Sequence, residues 1–240
     1  MSAVTALIFA GGTGRRMSTR ATPKQFLELH GKPVIIYTIE HFEKHPLIDS
    51  IVVVCLESWI GELERLLRRY DIQKVTTIVP GGDTGHASIY NGLVAMEGAA
   101  GDDDIVLIHD GVRPLIDERL LTENIDVARE HGAAVTGEHV AESIVRVNAG
   151  EDIVDVPPRD EMYVAKAPQS FRYGLIHELY AWAQTEGVAT IDSAHLCHLR
   201  GIRPRVVTST PQNIKITNPS DYYVFRALYE AMENQQILGT

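Results

Sequence analysis

The densest concentration of residues able to do chemistry lies near the start of the chain, where Gly11-Gly12-Thr13-Gly14 is followed by Arg15, Arg16, Arg20, Lys24 and Lys32. Glycines let backbone N–H groups approach an anion with no Cβ in the way, and consecutive N–H groups form a nest for phosphate oxygens. Arg16 and Lys24 add full positive charge within reach of the same oxygens. Transfer at a phosphorus needs such a set, because an attacking phosphate and a triphosphate repel each other and the transition state gathers charge. A tight turn with a basic, solvated surface uses the same residue types, and on these residues alone the two readings stand level. Neither standard nucleotide motif is present: a P-loop closes on Gly-Lys-Ser/Thr, and the dinucleotide fingerprint needs a third glycine where Met17 stands. A nicotinamide-dependent reductase is weakened accordingly.

Other candidates are spread along the chain. Asp110 closes the apolar run 105–109, at the strand end where open α/β sheets build sites, and it also suits a turn cap before Arg113-Pro114. Gly81-Gly82 reads as an ordinary turn after the run 75–79. His195, Cys197 and His198 lie within four residues, yet no further ligands follow at zinc spacing, so they read as part of a packed or surface helix. Asp102, Asp103 and Asp104 read as a solvated loop.

The elements that must position these residues follow from periodicity. Strand-length apolar runs at 6–10, 51–55, 75–79, 105–109 and 133–136 alternate with helical patterns. Helical period marks 33–43, and Trp59, Leu63, Leu66, Leu67 and Tyr70 form a core-facing stripe. The pattern predicts an α/β fold: βα units stacked into a three-layer, Rossmann-like, mostly parallel sheet. Residues 138–159 interrupt it. Two short alternating runs, 143–147 and 152–156, joined by Asn148-Ala149-Gly150-Glu151, predict a projecting β-hairpin arm of the kind that pairs with a second subunit. Asn218-Pro219-Ser220-Asp221 opens a final helix through Glu233.

Bulk properties narrow the class. With 240 residues, 45% of them apolar, and no repeat or low-complexity linker, residues 1–240 are expected to form one domain with the arm as an insertion. The net charge of −10 disfavours nucleic acid, so a polyanionic small substrate needs a locally basic pocket. No apolar stretch suits a membrane or a leader, and the two cysteines do not make a disulfide framework. The expected setting is therefore the cytoplasm.

Six ordered motifs spanning residues 6 to about 225 then carry a resemblance: 10–17 with Pro23-Lys24-Gln25-Phe26-Leu27, Gly81-Gly82-Asp83 with Ser88, His109-Asp110-Gly111-Val112-Arg113-Pro114, Ala167-Pro168-Gln169-Ser170-Phe171, and Asn213-Ile214-Lys215-Ile216-Thr217. The chain resembles the cytidylyltransferases of methylerythritol phosphate and ribitol 5-phosphate. The resemblance implies CTP and a small sugar-alcohol phosphate as substrates, Mg²⁺ as the cation, pyrophosphate as leaving group and a homodimer. It implies Arg16 and Lys24 as catalytic residues at the α-phosphate. Ala10, Gly11, Gly12, Thr13 and Gly14 would hold the triphosphate, and Gly81, Gly82, Asp83 and Ser88 would hold the cytosine. Asp110, Arg113, Ser143, Arg159, Asp192 and Lys215 would face the acceptor, with Arg159 reaching the partner's site from the arm. Asp110 is also the one metal candidate, and the sequence does not choose between its two roles.

The chain departs from the methylerythritol pattern at Gly111-Val112, Ala167 and Ile191, and these changes, with Pro157-Pro158-Arg159, resemble the ribitol 5-phosphate branch. Gly85 stands where both branches carry a basic residue. A catalytically dead CTP-binding scaffold is the second alternative, opposed by Arg16, Lys24, Asp110, Arg159 and Lys215 being present together.

Overall fold

A computed structural model describes residues 2–11, 22–188, 190 and 192–238, with side chains as far as 234. The chain begins with β1 (Val4–Ala10), the two-residue strands β2 (Glu28–Leu29) and β3 (Lys32–Pro33), α1 (Val34–Lys44) and β4 (Ser50–Cys55). There follow α2 (Ile60–Arg69), β5 (Val75–Pro80), α3 (Gly85–Val94), β6 (Ile105–Asp110), α4 (Glu118–His131) and β7 (Ala133–His139). The remainder is β8 (Arg146–Val147), β9 (Ile153–Asp155), β10 (Tyr163–Arg172), α5 (Tyr173–Thr185), α6 (Ser193–Leu199), β11 (Arg205–Thr208) and α7 (Pro219–Leu238).

Seven strands form the central sheet in the order β11-β7-β10-β6-β1-β4-β5. β1 is parallel to β4 and β6, β4 to β5 and β7 to β11, whereas β10 runs antiparallel to both β6 and β7. The pleat sends alternate residues to opposite faces. Ala6, Ile8 and Ala10 pack with α1, α2 and α4 on one side, while Leu7, Val52, Val54 and Ile108 pack with α3, α5 and α6 on the other. The result is the three-layer, mostly parallel sheet that the periodicity predicts. The order in which strands are added reverses at β1, which has β4 on one side and β6 on the other, both parallel to it, so a cleft opens beyond the carboxyl ends of β1 and β6.

The five predicted strands are present, each extended by one to three residues. β10 was not foreseen. The predicted hairpin forms but is shorter, with β8 and β9 in place of two five-residue strands. Its turn is tied by the Asn148 side chain, whose Oδ1 accepts from Gly150 N at 2.9 Å and Asp152 N at 3.0 Å. Trp59 precedes α2 in a single 3₁₀ turn and is only partly buried. The final helix runs past Glu233 to Leu238. Cys197 is buried inside α6, and no group of metal-binding side chains surrounds it among the described residues.

Candidate active site

The site begins where two backbones touch. A Cβ added to Gly11, just after β1, would lie 3.1 Å from Gly81 Cα and 2.9 Å from Ser88 Oγ; one added to Gly82 would lie 2.5 Å from Ala87 Cβ. Only glycine lets the turn after β5 close this tightly on β1 and α3. The Ser88 hydroxyl is 2.9 Å from the Thr84 carbonyl oxygen, to which it donates, and accepts from Gly82 N at 3.1 Å. Thr84 in turn caps α3, its Oγ1 accepting from Ala87 N at 3.0 Å. Ser88 is thus buried and fastens the turn internally, while Asp83 stands exposed at its tip.

Lys24 is placed by its neighbours. It opens a 3₁₀ turn, Lys24–Phe26, in which Gln25 Nε2 donates to the Ala10 carbonyl at 2.6 Å and Phe26 stacks on Trp59 with centroids 4.5 Å apart. These contacts hold the lysine's backbone beside the end of β1. Gly12, Thr13, Gly14 and Arg16 lie outside the described residues, as does Ile191.

A charged cluster forms at the end of β6. Asp110 Oδ2 accepts from Arg113 Nε at 2.7 Å, and its Oδ1 accepts from Lys215 Nζ at 2.5 Å. Burial pushes the Asp110 carboxyl up, but Lys215 and then Arg113 overcome this and bring it down to about 2, so it is ionised at neutral pH. Lys215 is itself fixed from three sides. Arg113 Nη1 donates to Asn213 O at 3.2 Å, Asn213 Nδ2 donates to Ala167 O at 2.7 Å, and Ile216 N donates to Val112 O at 2.9 Å. Behind the cluster His109 is fully buried, and burial lowers its imidazole to about 3. A neutral ring 3.2 Å from the Arg113 carbonyl must donate through Nε2, which leaves Nδ1 without a partner among the described residues.

A cavity of about 640 Å³ opens beside the charged cluster and reaches the start of α3 at Thr84 and Gly85. Its wall includes Phe9, Asp110, Arg113, Lys166, Asp192 and Lys215. Asp192 caps α6, its Oδ1 accepting from His195 N at 2.9 Å while Oδ2 accepts from Gln169 Nε2 at 3.2 Å. His86 lines the cavity too. Its ring stacks on Tyr180 at 4.6 Å, its Nδ1 lies 3.1 Å from Thr190 Oγ1, and burial lowers its pKa.

The structure therefore brings Asp110, Arg113, Asp192 and Lys215 together, with Gly11, Gly81, Gly82 and Ser88 converging beside β1. Arg159 and Ser143 stand apart. Both are exposed on the arm, the Arg159 guanidinium donates to Ala141 O at 3.4 Å, and neither lines the cavity. Val112, one basis for expecting a distinct acceptor, packs instead with Ile216 and Phe225 in an apolar cluster, so its side chain belongs to the core. Ala167 does line the cavity. Lys166 and His86 carried no signal in the sequence, because a lone lysine between alanines and a lone histidine at a helix start read as surface. For a metal, Asp110 and Asp192 are the carboxylates that line the cavity among the described residues; both Asp110 oxygens already face cations, and both Asp192 oxygens accept hydrogen bonds. Mg²⁺ commonly takes one or two carboxylates and draws its other ligands from phosphates and water. That donor set fits here only if the triphosphate carries most of the coordination.

Comparison with known proteins adds an independent line. Residues 4–230 match the family model of 2-C-methyl-D-erythritol 4-phosphate cytidylyltransferase, IspD. The chain is 46% identical over 234 residues to a ribitol-5-phosphate cytidylyltransferase of Streptococcus agalactiae serotype Ia, covering 97% of this chain and 98% of that one. It is 36% identical over 234 residues to a 2-C-methyl-D-erythritol 4-phosphate cytidylyltransferase of Geotalea uraniireducens, covering 97% and 99%. Among solved structures it is similar to 4-diphosphocytidyl-2C-methyl-D-erythritol synthase of Anaerococcus prevotii, with a TM-score of 0.84, 25% identity, and coverage of 95% and 96%.

Proposed function

Since this chain belongs to the 2-C-methyl-D-erythritol 4-phosphate cytidylyltransferase family, we propose that it transfers the cytidylyl group of CTP to D-ribitol 5-phosphate, forming CDP-ribitol and pyrophosphate. The observation that carries the choice of acceptor is the gap between 46% identity to the ribitol-named relative and 36% to the methylerythritol-named one, at equal coverage. The runner-up is transfer to 2-C-methyl-D-erythritol 4-phosphate.

In the proposed reaction a phosphate oxygen of the acceptor attacks the α-phosphorus of CTP. The new P–O bond forms as the bond to the β-phosphate bridging oxygen breaks, and pyrophosphate leaves with that electron pair. Lys24 and Arg16 supply positive charge at the α-phosphate, where negative charge accumulates. The narrow glycine contacts at Gly11, Gly81 and Gly82 would give backbone access to the nucleotide, with Ala10, Asp83 and Ser88 close by, and Gly12, Thr13 and Gly14 complete the proposed CTP-binding set. Asp110 orients Arg113 and Lys215 toward the acceptor, and Asp192 faces its hydroxyls. Mg²⁺ would be held chiefly by the triphosphate with at most one Asp110 oxygen, where it neutralises phosphate charge. The buried, unpaired thiols of Cys55 and Cys197 support a reducing, cytoplasmic setting. The −10 charge opposes nucleic-acid partners, and among the described residues no helix is long and apolar enough to cross a membrane.

The test supplies CTP with each phosphomonoester and follows pyrophosphate. D-ribitol 5-phosphate should give the higher kcat/KM, and a clear preference for the methylerythritol compound overturns the assignment.

The same reading makes residues 138–159 a dimerisation arm. Ile144, Val145, Val147, Ile153, Val154 and Val156 are all exposed on it, and a two-stranded hairpin alone is marginal in water, so a partner surface is needed. If Arg159 serves the partner's site, mixing Arg159→Ala with Lys24→Ala chains should restore activity. Random pairing sets a ceiling of about a quarter of wild type. Heterodimers that form without regaining activity place Arg159 in its own chain's site.

A further inference from the structure

Each cation in the described wall of the cavity already faces a carboxylate. Arg113 and Lys215 share Asp110, and Lys166 is paired with Glu138. An incoming phosphomonoester must therefore attract a cation that is partly engaged, and the two arrangements do not open equally. The Asp110 side chain is 7% exposed and holds both partners, so withdrawing one strands charge away from water. The Glu138 side chain is 26% exposed, near the end of β7 where the arm departs, whereas Lys166 is 9% exposed and lines the cavity. Water can re-solvate Glu138 when its partner turns away, and an ammonium on a flexible four-carbon stem can make that turn.

The backbone around Lys166 is pinned meanwhile. Thr136 Oγ1 donates to Pro168 O at 2.6 Å, Asn213 Nδ2 donates to Ala167 O at 2.7 Å, and Gln169 Nε2 donates to Lys166 O at 3.4 Å. A side chain able to exchange partners thus stands on a main chain held from three sides. We propose that Lys166 is a further acceptor-binding residue, its ammonium leaving Glu138 to donate to the phosphate of the incoming phosphomonoester. This rests on the transfer to a phosphorylated acceptor proposed above. The pairing also discriminates: a dianionic phosphate replaces the lost carboxylate, and a neutral polyol does not. Lys215, 39% exposed, can donate to the same phosphate without leaving Asp110, because an ammonium has three donors.

The test is steady-state kinetics of full-length Lys166→Met, Lys166→Arg and Glu138→Gln, with CTP and whichever of D-ribitol 5-phosphate and 2-C-methyl-D-erythritol 4-phosphate the wild type uses. Which acceptor that is judges the acceptor assignment and leaves the Lys166 question intact. Lys166→Met should raise the acceptor KM about tenfold or more while the CTP KM stays within about twofold, as expected for one lost charge-assisted contact. Lys166→Arg should recover part of the loss. Glu138→Gln should lower the acceptor KM, because the lysine is released toward the cavity. A pair with a purely structural role makes both Lys166→Met and Glu138→Gln worse, and for both substrates. That pattern, or an unchanged acceptor KM in a Lys166→Met protein that melts like wild type, overturns the proposal.

Discussion

Around Gly11, Gly81 and Gly82 the candidate site is backbone in van der Waals contact, with a hydroxyl fastening the turn, whereas at the end of β6 it is a carboxylate holding an arginine and a lysine beside the cavity. The first surface recognises by shape and has no room for one more carbon. The second recognises by charge, and its geometry depends on each ion keeping its partner. A substrate pair with one large, constant nucleotide and one small, phosphorylated acceptor suits this division, since a base and ribose offer contour while a polyol phosphate offers chiefly charge.

The largest effect expected is on the chemical step. Lys24→Ala or Arg16→Ala should lower kcat by about 10²- to 10³-fold at saturating CTP and acceptor, with a smaller change in CTP affinity, since preorganised charge acts mainly on the transition state. Wild-type turnover in either variant removes that residue from the chemistry.

A sharper probe of the shape-based wall compares two glycines three residues apart. Gly82→Ala puts a methyl against Ala87 and should cost about 1 to 3 kcal/mol of stability, as overpacking does, together with a raised CTP KM. Gly85→Ala meets nothing within 4 Å at the start of α3 and should be neutral or stabilising by up to about 1 kcal/mol. Denaturant midpoints and CTP KM values of the two variants check this. Equal behaviour dissolves the claim that the wall is set by close approach.

The smallest effect concerns acid sensitivity behind the charged wall. Burial holds His109 neutral down to about pH 3, while the same imidazole in the unfolded chain protonates near 6.5. Between those values the unfolded state binds the extra proton, so stability falls as pH falls, by up to about 1.4 kcal/mol per unit. Asp110 acts only lower down: its carboxyl titrates at about 2 in the fold against 3.8 unperturbed, so its stabilisation is complete above about 4 and lost toward 2. Replacing His109 with Gln should flatten the stability profile between pH 6.5 and 5, measured by denaturant unfolding. An unchanged slope means that other groups set it.

Much of this was legible in the residues because the governing signals are local. Strand and helix periodicity, the Asn148 turn and the glycine loops each depend on neighbours within a few positions, so the α/β fold and the placement of Asp110 at a strand end follow from spacing alone. The antiparallel β10 was not legible, because strand direction is settled by pairing with β6 and β7, far away in the chain. The burial of Val112 was not legible for the same reason, since its partners Ile216 and Phe225 lie over a hundred residues on. Asp110 as the shared anchor of Arg113 and Lys215, and Lys166 paired across to Glu138, exist only once the sheet is assembled. The sequence by itself determined which chemistries the chain could carry. Only the tertiary structure decided which charges meet, because an ion pair depends on separation in space and on burial, and neither is a property of local sequence.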